Sequence, residues 1–146
     1  MDQTMLRMME LDYHGYYCSQ ILLILALEAQ GKCNPDLVRA MGGLAHGSGF
    51  SFGICGALSG AACLLGLYAG KGNDDDYEDE NLKYMLKDLG DWFEQTFGSR
   101  YGNVTCEAIV GDRTEMRQRC AAVVEETYTK VIELLSAGGY DISVGR

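Results

Sequence analysis

Proline occurs once in the 146-residue chain, at Pro35, and histidine twice, at His14 and His46. With no repeat and no low-complexity linker, nothing marks a second domain, so one domain over residues 1–146 is expected. Positive charge is also scarce: 12 Lys and Arg stand against 21 Asp and Glu, a net charge of −9. The basic residues are scattered, which excludes a stripe for phosphate backbones and disfavours nucleic acid as a partner. Anionic membrane surfaces are disfavoured on the same ground. No apolar run reaches the ~20 residues of a spanning helix, the longest being Ile54–Ala69, so no membrane span is expected. The start, Met1-Asp2-Gln3-Thr4-Met5, lacks a basic leader region, and Ile21–Leu27 is not followed by a cleavage pattern. A cytoplasmic protein is the expectation. No Walker loop, dinucleotide fingerprint or Ser-His-Asp order is present, and no Cys-x-x-Cys pair.

What is present is helical periodicity nearly throughout, without alternating strand patterns. Helices are predicted over Thr4–Tyr13 and Tyr16–Ala29, the second ended by Gly31 in the left-handed C-cap role. Asn34-Pro35-Asp36 caps and opens a short helix through Met41. A helix from about Gly53 to Tyr68 is almost entirely apolar or small, which makes it the buried central element. Asp74-Asp75-Asp76 is read as the first turn of an amphipathic helix extending to about Phe97. A short helix around Thr105–Val110 and a long one from Asp112 or Thr114 to Gly138 complete the chain. The sum is a compact all-α bundle of five or six helices with a glycine-rich central helix.

Six cysteines then need a reason, because a chain of this length buries roughly 68–70% of its unfolded surface and folds without staples. Cys55 follows the stretch Gly42–Gly53 and opens Cys55-Gly56-Ala57-Leu58-Ser59-Gly60. Loop followed by helix puts its sulfur beside unpaired backbone N–H groups, which favour a thiolate. Gly53, Gly56 and Gly60 fall on one helix face. Each glycine costs about 1 kcal/mol relative to Ala in a helix, so close approach of another element is expected to offset it. That approach is either tight packing, within the bundle or across a homodimer seam, or room for a ligand, cluster or partner sulfur beside Cys55.

Cys18 in Tyr16-Tyr17-Cys18-Ser19-Gln20, the Cys55–Gly60 box, and two later cysteines, Cys106 and Cys120, together resemble one known group. It is the redox-active family named for one Cys, a Cys-Gly-Ala-x-x-Gly box and two further Cys. The resemblance covers essentially the whole chain and places the motif cysteines at Cys18, Cys55, Cys106 and Cys120; it supplies no substrate.

From the residues, two mechanisms compete. Either Cys55 attacks as a thiolate and pairs with Cys18, Cys106 or Cys120, as a thiol–disulfide oxidoreductase acting with an unknown redox partner. Or the same four sulfurs are metal ligands of an iron–sulfur cluster; zinc fits less well, since its ligands usually come in close pairs. A third reading is a non-catalytic helical dimerisation module with incidental cysteines. Cys63 and Cys33 match no motif position and are expected to be small core residues.

His14 stands four residues before Cys18, but Gly15 is expected to break the helix between them; His46 is read as a loop residue without a role. Tyr13, Tyr16 and Tyr17, and Met1, Met5, Met8 and Met9, are expected to pack or line an interface. The acidic run lacks the spacing of a calcium loop.

Overall fold

The computed structural model describes residues 2–146, and Met1 lies outside them. Asp2 caps the first helix, α1 (Gln3–Tyr13), by accepting from the Thr4 N–H. Gly15, at φ +91°, turns the chain before α2 (Cys18–Ala29), so His14 and Cys18 fall on different helices as expected. Asn34 Oδ1 accepts from Leu37 N–H at 3.1 Å and opens α3 (Pro35–Met41). A 3₁₀ turn (Gly42–Leu44) follows, and then α4 (Gly56–Ala69). Next comes α5 (Leu82–Phe93), prolonged by a π turn (Glu94–Gly98) and a last helical turn through Tyr101. Thr105 caps α6 (Cys106–Val110), and α7 (Met116–Ala137) ends the bundle.

The described residues hold seven helices and no strand, against an expected five or six. Each of the seven answers to a segment named above, so the expected total was short rather than any element unforeseen; α3 and α6, though short, each carry a side-chain cap of their own. Three boundaries also move. The central helix starts at Gly56 rather than Gly53, because Gly53 and Cys55 are engaged in backbone pairing with residues 104–106. The acidic run does not begin α5. Asp76 instead accepts from the Gly72 and Tyr77 N–H groups and pairs with Arg146, folding 72–77 into a turn. Gly98 and Ser99, beyond the expected end near Phe97, continue the helix until Gly102 ends it at φ +89°.

α4 is the central element, packing against α2, α5 and α7. Its Ala57, Ala61, Leu64, Leu65 and Tyr68 are buried with Leu22 and Ala26 of α2, Phe93 of α5 and Val131 of α7. Burying each large apolar side chain contributes about 1.5–3 kcal/mol. The π turn sets Phe97 against Phe93 at 4.7 Å between ring centres, closing the core at that end.

The glycines fit by close approach within the chain. A Cβ on Gly60 would stand 2.9 Å from the Ser19 Cα, and Ser19 is itself held by its hydroxyl donating to Met41 O at 2.8 Å. No described helix is long and apolar enough to cross a membrane.

Candidate functional site

Three of the six cysteines sit where helices begin. Cys18 is the first residue of α2, Cys55 the N-cap of α4 and Cys106 the first residue of α6. Cys120 lies one turn inside α7.

Two devices bring them together. The first is a single antiparallel bridge between Ile54 and Thr105. The Cys55 N–H donates to Val104 O at 3.1 Å, and the Cys106 N–H donates to Gly53 O at 2.6 Å. In such a pair, alternate residues share a face, so Cys55 and Cys106 become diagonal neighbours about 7–8 Å apart. Ile54 stays 47% exposed while Cys55 and Cys106 turn inward.

The second device is Gly56. A Cβ there would stand 2.8 Å from the Cys18 sulfur and 3.0 Å from the Leu44 carbonyl oxygen. The missing side chain is where Cys18 lies, immediately beside Cys55. Both uses foreseen for the glycine stripe therefore hold: Gly60 for packing, Gly56 for a partner sulfur.

Electrostatics tie the four together. Burial pushes the Cys18 thiol up to about 12, and charge at Cys55, Cys120 and Cys106 adds to the rise. Cys120 is likewise pushed up to about 12, by burial and then by Cys55, Cys106 and Asp12. Cys55 rises to about 11 through burial, with Cys106 contributing. Cys106 is raised by burial alone, and Arg113 pulls it back. Charge at Cys55 is felt at Cys18 and Cys120, and charge at Cys106 at all three of the others. Cys33 and Cys63 take no part in this network. Both are exposed, against the expectation that they would be core residues. Cys33 lies in the turn after α2, and Cys63 on the outer face of α4.

One expectation is overturned. Cys55 was read as a primed thiolate, and the N–H groups of Ala57 and Leu58 do lower its pKa. No cap hydrogen bond closes on its sulfur, however, and loss of water outweighs the helix end. The thiol is protonated at neutral pH. All six cysteines are free thiols in the structure.

Among the described residues no group of three or more Cys, His, Asp or Glu is set to hold a metal ion. The four sulfurs share a neighbourhood without forming a ligand set, so no chemistry is routed through an iron–sulfur cluster.

The loop above the site was read only as glycine-rich, and its conformation was missed. His46, Ser48, Phe50 and Phe52 all have φ between +50° and +68°, and Gly47 and Gly49 are also positive, at +80° and +67°. Each non-glycine residue in that region costs roughly 1–2 kcal/mol. The turn is held by backbone bonds, Gly49 N–H to Gly43 O at 2.9 Å and Phe52 N–H to His46 O at 2.8 Å. His46 has a place after all, packed against Phe50 at 4.8 Å and Tyr17 at 5.3 Å. Gly47 was the sequence signal, since any Cβ there would overlap the backbone of Gly53. Arg113, whose guanidinium lies 5.0 Å from the Phe52 ring centre, gave no signal at all.

Residues 16–134 match a protein family described as "Putative redox-active protein (C_GCAxxG_C_C)". The family's box reads Gly-Cys-Ala-x-x-Gly rather than the Cys-Gly-Ala-x-x-Gly expected above, and Cys55-Gly56-Ala57 departs from it in the order of its first two residues. No curated protein and no solved structure matches the chain.

Proposed function

Because the chain belongs to the C_GCAxxG_C_C family of redox-active proteins, we propose that it cycles between dithiol and disulfide through Cys55 and its neighbours Cys18, Cys106 and Cys120. The single observation carrying this reading is the neighbourhood shared by the four motif sulfurs, with Cys18 lying where the Gly56 side chain would be. An external disulfide is the oxidant. Two protein thiols give up two protons and two electrons, the external S–S bond is reduced to two thiols, and one protein S–S bond forms. The raised thiol pKa values favour the disulfide side of this exchange, since burial destabilises the thiolates of the reduced form more than the Ala57 and Leu58 N–H groups or Arg113 stabilise them.

The test treats reduced protein with excess glutathione disulfide and maps its sulfurs by mass spectrometry. Two thiols among Cys18, Cys55, Cys106 and Cys120 should be lost to one internal S–S bond, while Cys33 and Cys63 form at most mixed disulfides. Four free motif cysteines under conditions that fully modify Cys33 would end the proposal.

A further inference from the structure

Resting on that reading, we infer that Cys106 is the cysteine that attacks the external disulfide, and that Arg113 serves it as a positioning residue from across the left-handed loop. The sequence assigns the attack to Cys55; the geometry points elsewhere.

Cys106 lies at the outer end of the Ile54–Thr105 bridge, under a lid made by the loop itself. The Glu107 N–H donates to Phe52 O at 3.2 Å, and the Phe52 ring carries the Arg113 guanidinium on its face. Arg113, itself at φ +72° in the turn between α6 and α7, thus lies against the lid, and its charge is felt at Cys106. The lid is the most strained backbone in the molecule, with four non-glycine residues between His46 and Phe52 at positive φ. Strain of that kind lowers the cost of leaving the closed arrangement. When Phe52 moves away, Cys106 becomes open to a ligand and keeps a cation beside it.

The other titratable groups near Cys106 are Cys18, Cys55 and Cys120, each of whose ionisation a Cys106 thiolate opposes. On its own segment Glu107 is exposed, and the Asp112 carboxylate is taken up by Thr114. His46 stands behind Phe52, at 6.2 Å between ring centres. Arg113 is the group that draws a thiolate to Cys106 rather than to the other three.

The step balances as follows. The Cys106 thiolate attacks one sulfur of R–S–S–R, that bond breaks, and R–S⁻ leaves and takes a proton from water. A second thiol of the cluster, deprotonated to solvent, then attacks the Cys106 sulfur. It releases the second R–S⁻ and leaves the internal disulfide.

The experiment uses full-length protein with Cys33→Ser and Cys63→Ser as background. The four remaining thiols are modified with an aromatic disulfide, 5,5′-dithiobis(2-nitrobenzoate), across pH 6.5–10, and labelled sites are quantified by mass spectrometry. Cys106 should be labelled first. Arg113→Ala should slow it about three- to tenfold at pH 8 and move its pH profile upward, the effect of losing one partly screened cation. Arg113→Lys should restore the profile. Phe52→Ala should speed labelling without moving the profile, a split that a purely structural role for the pair would not give. First labelling of Cys18, Cys55 or Cys120, or an unmoved profile in Arg113→Ala, overturns the inference. Labelling of Cys106 first with no internal disulfide afterwards overturns the proposed cycle but not the role of Arg113.

Discussion

Adding one methyl group at Gly56 tests the geometry of the site most directly. The new Cβ in Gly56→Ala would meet the Cys18 sulfur at 2.8 Å and the Leu44 carbonyl oxygen at 3.0 Å. Overpacking of this kind costs about 1–3 kcal/mol, against a gain of at most about 1 kcal/mol from replacing glycine in a helix. A net loss on the order of 1–2 kcal/mol is expected, about 3–5 °C in Tm per kcal/mol for a domain of this size. The sulfur is the nearer obstacle, so the cost should depend on it. In a Cys18→Ala background the clash with sulfur is gone and only the carbonyl contact remains. Urea unfolding under strong reductant, run on the parent, both single variants and the double variant, gives the coupling. We expect 0.5 kcal/mol or more, within the range of about 0.5–3 kcal/mol for residues in contact. The same variant should form the internal disulfide more slowly, because Cys18 is displaced from Cys55. Equal costs with and without the Cys18 sulfur, or a Gly56→Ala protein as stable as its parent, would refute the assignment of Gly56 as the place made for that sulfur.

Other outcomes follow from the same contacts. Gly60→Leu should leave little folded protein, because its side chain would meet the backbone of Ser19; circular dichroism on the purified variant decides this. Gly66→Ala, with nothing within 4 Å of the new Cβ, should be neutral or more stable by up to about 1 kcal/mol; a loss above that in thermal melts would contradict the packing described. Reduced protein should hold its stability below pH 9 and lose it as pH rises toward about 11–12. The thiols of Cys18, Cys55 and Cys120 are raised in the fold, so the unfolded chain ionises first. The loss should be on the order of a few kcal/mol, and smaller in Cys55→Ala; a flat curve of stability against pH through that window would show that the sulfurs are not buried together.

Much of this arrangement was legible in the residues, and the gaps have identifiable causes. Asn34-Pro35 and the breaks at Gly15 and Gly31 were readable because capping and left-handed turns depend on a few local residues. The four motif cysteines were also readable, because box and order are sequence properties. The start of α4 was misplaced by the bridge to residues 104–106, a pairing with no local signature. The Cys55 pKa went the wrong way because helix-end amides are visible in sequence whereas burial is not. Asp76 looked like helix-start charge, yet its partner, Arg146, comes from the far end of the chain. Arg113 was invisible for the same reason: its meaning comes from Phe52, which is distant in sequence and adjacent in space.

The two backbone bonds flanking Ile54 and Thr105 also fix an order of events during synthesis. Cys18 and Cys55 leave the ribosome well before Val104 and Cys106 exist, so a nascent or truncated chain ending short of Val104 leaves the Cys55 N–H and Gly53 O without these partners. Its two early thiols then lack the burial that suppresses ionisation in the finished molecule. They are at their most reactive before the protein can use them, and the last third of the chain is what silences them.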